Sequence, residues 1–97
     1  MVPSDTIQGI ANNLPLSKQY FSEAVQIDSK NPDAWSGLGN LAWMQGQVNE
    51  AISFYEKAIS IRPGDYETAM NLAMAYEKTG QHERGASIRQ QAEAIHR

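Results

Sequence analysis

Apolar side chains recur along this chain at helical spacing, in short runs closed by glycine or proline. Leu38, Leu41, Ala42 and Gln45 fall on one helical face, with Trp35 one turn earlier. Asn31 followed by Pro32, Asp33 and Ala34 predicts the start of that helix. An asparagine side chain can cap the first free backbone N–H groups, and proline suits the first helical position because it has no N–H to satisfy. Gly46 predicts its end, since the residue after a helix often needs a positive φ. A second helix is predicted over about 49–61, with Ala51, Ile52, Tyr55, Ala58 and Ile59 as its apolar positions and Ile61 just beyond. Pro63 and Gly64 stop it. Asp65 can cap the next helix, Gly80 closes it, and a last helix over about 83–96 bears one stripe of Ile88, Ala92 and Ile95. No segment alternates with period two over a useful length, so a β-rich fold is disfavoured.

Shifting the sequence by 34 positions brings residues into coincidence. Leu38 falls on Leu72, Gly46 on Gly80, Gln47 on Gln81, Ala58 on Ala92 and Ile61 on Ile95. Earlier in the chain, Ala24 falls on Ala58, Ile27 on Ile61, and Tyr20-Phe21 on Phe54-Tyr55. One pattern therefore recurs through 17–97, while the first ~16 residues follow it poorly. Small residues at Gly39, Ala73, Ala42 and Ala51 sit where two helices of a hairpin cross and let the backbones approach. Tyr55 and Trp35 are expected to fill the space beside that crossing. Gly37-Leu38-Gly39 has no strand before it and lies inside a helix pattern, so it is not read as a phosphate loop.

These positions resemble the tetratricopeptide repeat. Trp35, Leu38 and Gly39, then Ala51, Tyr55, Ala58 and Pro63, match its pattern of a tryptophan, Leu-Gly, a small residue, an aromatic, another small residue and a proline. Ala42 departs where a larger residue is usual. The next unit shows Ala69, Leu72, Ala73, Tyr76, Gly80 and Ala92, with Gly85 and Arg89 poor fits to its small and aromatic positions. The half-unit before shows Ser17, Phe21, Ala24 and Ser29. The likeness covers about 80 of the 97 residues. It implies an all-α fold: a right-handed superhelical stack of antiparallel helix hairpins, about 2.5–3 repeats and six helices. The expected organisation is one domain over 1–97, with a degenerate first repeat at 4–30, a second at 31–64 and a third at 65–97 that ends in a capping helix. Residues 4–13 read as the first helix of the degenerate repeat, capped by Ser4 or Asp5.

The resemblance also implies a concave groove lined by the first helix of each repeat. Carried over, the groove residues are Asp33, Ser36, Gly37, Asn40, Trp43 and Met44, then Glu67, Met70, Asn71, Met74, Glu77 and Lys78. An asparagine amide offers both donor and acceptor, so Asn40 and Asn71 can pair with an extended peptide backbone. Trp43, Met44, Met70 and Met74 suggest an apolar floor. The plainer reading makes the asparagines solvated and turns Trp43 against Ile7 or Ile10. Some relatives clamp acidic C-terminal tails with lysine, arginine and asparagine. Here Ser36 stands at a lysine place and Asp33 and Glu67 add negative charge, which disfavours such a ligand.

Charge and composition narrow the classes. Eleven acidic and eight basic residues give a net charge of -3 with no basic stripe, so nucleic acid is not expected as a partner. The basic residues of the last helix are interspersed with acids and make no RNA-binding arm. No apolar run approaches the roughly 20 residues that span a bilayer, and no membrane partner is expected. The start of the chain lacks the basic and apolar regions of a signal peptide. A cytoplasmic location is expected; the absence of cysteine fits a periplasm equally well. His82 and His96 have no acidic partner at metal-ligand spacing, and no nucleophile elbow is present, so no metal, cofactor or catalytic residue is expected. The expected function is a protein-interaction scaffold that holds a peptide or protein segment in its groove. The alternatives are a self-associating module and the recruiting domain of a larger enzyme.

Overall fold

The computed structural model describes residues 16–96, which form five helices and no strand. In chain order they are α1 (described over 16–27), α2 (Pro32–Met44), α3 (Val48–Ile61), α4 (Tyr66–Lys78) and α5 (His82–His96). The expected helix over 4–13, and Ile7 and Ile10 with it, lie outside the described residues.

The helix boundaries follow from the capping chemistry. The Asn31 Oδ1 accepts from the backbone N–H of Asp33 at 3.0 Å and of Ala34 at 3.3 Å, with Pro32 at the first helical position. Asp65 does the same one repeat later, accepting from the Thr68 N–H at 3.2 Å and from the Thr68 hydroxyl at 2.8 Å. Both first helices end alike. Gly46 and Gly80 take φ of 79° and 83°. The N–H of Gln47 reaches back to the carbonyl of Ala42, and that of Gln81 to Tyr76, both at 2.8 Å. This i to i−5 bond closes the helix only if the intervening residue turns left-handed, which glycine does without strain. Gln45, expected on the apolar face, is instead the exposed C-cap of α2, where its N–H closes the last turn on Leu41 and Ala42.

Each helix packs on the next in sequence, so α2 and α3 form one hairpin, α4 and α5 another, and α3 joins them. Leu38 and Leu72 are both buried, as the 34-residue register requires. Around them Ala42, Ala51, Tyr55, Ala58, Ala73, Ala75 and Tyr76 are also buried. The α2–α3 crossing is set by Gly39. A Cβ there would lie 2.6 Å from a ring carbon of Tyr55, inside van der Waals contact. Gly37 plays the matching part toward α1, where a Cβ would lie 2.6 Å from the Phe21 ring.

One expectation needs correction. Gly85 is not a poor fit: it is buried, and a Cβ there would stand 3.0 Å from the Ala73 carbonyl, so glycine lets α5 lie close on α4. Arg89 replaces the aromatic ring with charge, its guanidinium pairing with Glu77 at 2.8 Å. Trp35 reaches across from α2 to α3. It is half-exposed, stacks on Phe54 with ring centroids 6.1 Å apart, and donates from Nε1 to the Ser29 carbonyl at 2.8 Å, tying the α1–α2 turn to the hairpin. A ring with a polar edge settles where the edge finds an acceptor.

Gly39→Leu is expected to destabilise the fold by about 3 kcal/mol or more, because ring and side chain compete for one space. Gly46→Ala, which has open space around it, is expected to cost only about 1 kcal/mol through its backbone angle. Thermal melts followed by circular dichroism check both; equal losses would contradict the assigned packing.

Candidate ligand-binding groove

Since α3 runs back along α2 and α4 runs back along α3, α2 and α4 lie side by side in the same direction. One hydrogen bond ties them directly: the hydroxyls of Ser36 and Thr68 are 2.8 Å apart. The single Thr68 proton goes to the Asp65 carboxylate, so Ser36 is the donor in that pair. The result is a chain from Ser36 through Thr68 to Asp65 that fixes the spacing of the two helices at one end.

Beside this tie an open hollow of about 460 Å³ is lined by Asp33, Ser36, Gly37 and Asn40 of α2 and by Glu67, Thr68 and Asn71 of α4, with Phe21, Arg62 and Asp65 at its edges. A smaller hollow of about 80 Å³ continues from it, lined by Asn40, Trp43, Tyr55, Asn71 and Met74. Asn40 and Asn71 belong to both, so the two form one trough along α2 and α4. Its polar part lies at the N-terminal ends of these helices and its apolar part toward their C-termini.

The structure thus brings together eight of the expected groove residues: Asp33, Ser36, Gly37, Asn40, Trp43, Glu67, Asn71 and Met74. Met44, Met70 and Lys78 line neither hollow. Met44 and Lys78 are exposed and Met70 is half-buried. Glu77 is turned to its own hairpin by Arg89. Trp43 packs in part against the core beside Ala42, Tyr55 and Leu72.

Four residues that shape the trough were not singled out for it from sequence: Thr68, Asp65, Arg62 and Tyr55. Thr68 was detectable, since a hydroxyl stands where the register of 34 puts Ala34, and it is buried at 4% exposure. Arg62 follows the end of α3 and pairs with Asp33 at 3.2 Å, both side chains being largely exposed. No helical period marks such a position. Tyr55 reads as a core ring, and its hydroxyl is the part that matters here.

That hydroxyl donates to the Oδ1 of Asn40 at 2.5 Å. The amide lies with its oxygen toward the phenol. One lone pair of the Asn40 oxygen is therefore engaged, and its Nδ2 hydrogens are left for the trough. Burial pushes the Tyr55 phenol up to about 12, so it remains a donor at any ordinary pH. Tyr76 is likewise pushed up to about 12, first by burial and then by its hydrogen bond to Glu56 and the charge of that carboxylate.

The 34-residue period, the paired cap and glycine geometry and the stacked hairpins are matched by two family models, each described as tetratricopeptide repeat, one over 32–65 and one over 54–85. The chain belongs to the tetratricopeptide repeat family. The peroxisomal targeting signal receptor of Candida albicans is 35% identical over 76 residues, which is 76% of this chain and 13% of that protein. Among solved structures, that of MamA superposes with a TM-score of 0.83 at 23% identity, covering 94% of this chain and 53% of that one. YrrB, described as a tetratricopeptide repeat protein with an unusual peptide-binding site, superposes with a TM-score of 0.75 at 20% identity over 93% of this chain and 46% of its own. The chain therefore spans a small part of the receptor and about half of each of these structures. Among the described residues no helix is long and apolar enough to cross a membrane, and no group of three His, Cys, Asp or Glu side chains could hold a metal ion.

Both phenols titrate higher in the folded chain than the usual value of 10. A raised pKa of this kind contributes stability that is complete below the unfolded value and is lost as pH climbs through the folded one. The melting temperature is expected to fall as pH rises from about 10 to about 12. The fall should be shallower in Tyr55→Phe, which keeps the ring and removes the proton. An identical slope in the variant would contradict the assignment.

Proposed function

We propose that this chain is a non-enzymatic binding module that holds an extended segment of another protein in the trough between α2 and α4. The observation that carries this reading is the placement of Asn40 and Asn71, shared by a polar and an apolar hollow. The acceptor of Asn40 is already engaged by Tyr55, and its donors are free. A peptide backbone presents carbonyls at regular intervals, and a preset amide donor meets one without reorganisation. Binding of this kind needs complementarity and no chemical step, in keeping with how stacked repeats present concave surfaces. The peptide-binding site of YrrB, a protein of the same fold, supports the reading, as does the kinship with a receptor for a targeting signal. Because the chain matches only 13% of that receptor's length, we further propose that such a unit serves as the recruiting part of a larger assembly.

The double change Asn40→Ala plus Asn71→Ala is expected to weaken capture of partners in a pull-down by about tenfold or more. Two hydrogen bonds at about 1 kcal/mol each amount to about thirtyfold, so tenfold is the lower bound. The fold should be retained, checked by circular dichroism. Partners held as firmly by the double variant would place binding on another face.

A further inference from the structure

The trough has a chemical polarity. At one end Asp33, Asp65 and Glu67 stand against a single cation, Arg62, a local excess of two negative charges. Asp65 is held by Thr68, whereas Glu67 is exposed and has no partner among the described residues. The Arg62–Asp33 pair is solvent-exposed, with side chains 52% and 75% accessible, and contributes little, so an incoming cation can take its place. At the other end Trp43 and Met74 offer an apolar surface, with Met74 48% exposed. Between the two ends Asn40, its oxygen engaged by Tyr55, turns its N–H donors to the trough.

Resting on the groove reading above, we propose that the occupant is an extended peptide segment with a lysine or arginine at one end and an apolar side chain at the other. The cation sits by Asp33 and Glu67, the apolar group sits on Trp43 and Met74, and a backbone carbonyl between them accepts from Asn40. The spacing follows from geometry. Asp33 and Trp43 are ten residues apart on α2, about 15 Å along its axis. An extended chain advances about 3.3 Å per residue, and side chains on one face recur every second residue. The cationic and apolar residues therefore stand about four positions apart. An acidic segment is opposed at the charged end, and its carboxylates have only Arg62 to meet.

The test uses the full chain as bait for a display library of random linear peptides. Enriched peptides are synthesised and titrated against the wild-type chain and against Asp33→Asn/Glu67→Gln. Enrichment of lysine or arginine about four positions from an aliphatic or aromatic residue is expected. The charge-removed variant should bind these peptides about fivefold more weakly, with the gap closing at high salt and the melting temperature retained. Enriched peptides that are acidic or neutral, or basic ones bound equally by the variant, overturn the inference and leave the groove reading standing. If no peptide is enriched, or if the binding of enriched peptides survives Asn40→Ala plus Asn71→Ala, the groove reading falls and takes the inference with it.

Discussion

The close approach of α2 and α3 at Gly39 is the constraint on which the rest depends. The Tyr55 ring occupies the volume that a side chain at position 39 would need. With that space filled by an aromatic ring, the hairpin buries Ala42, Ala51 and Ala58 almost completely, and α3 becomes a flat support for α4. A protein interior packs to near-crystalline density, so the glycine is not interchangeable even with alanine unless the ring moves. The same device recurs with different parts: Phe21 over Gly37 before it, and Gly85 against the Ala73 backbone after it. Where the ring is replaced by Arg89, the guanidinium pairs with Glu77, and the buried Nε of Arg89 is left without a hydrogen-bond partner among the described residues. That substitution belongs to the last hairpin of the described chain.

Tyr55 connects this packing to the trough. Its ring fills the hairpin crossing over Gly39, while its hydroxyl donates to the amide of Asn40 at the smaller hollow. Ser36, Thr68 and Asp65 form a second connection, since the cap that starts α4 also fixes its distance from α2. The binding surface is thus preorganised by groups whose first task is folding. Preorganisation of that sort lowers the ordering cost of binding and leaves more of the contact energy as affinity.

Much of this was legible in the chain itself. Caps at Asn31 and Asp65, left-handed glycines at 46 and 80, and the 34-residue register are local or periodic features, and each acts through its own few residues. Less legible were contacts that a side chain makes outside its own helix. Trp35 stacks on Phe54 of the facing helix, and its Nε1 also donates to the Ser29 carbonyl in the turn before α2. Gly85 looked out of place only because the pattern expects a small side chain, when what the site needs is the absence of bulk.

By itself the sequence determined the class of fold, the bounds of its helices and the rows of residues that face the core, because capping and helical periodicity operate within one or two turns. Most of the trough's lining came from the resemblance to the repeat family, which implies which places on each first helix face the groove. Only the tertiary structure decided that Arg62 reaches Asp33, that Thr68 bridges to Ser36, and that the Tyr55 hydroxyl engages the Asn40 oxygen. Those contacts join residues 15 to 32 positions apart in the chain. Their geometry depends on how closely the helices approach, a distance that no local pattern encodes.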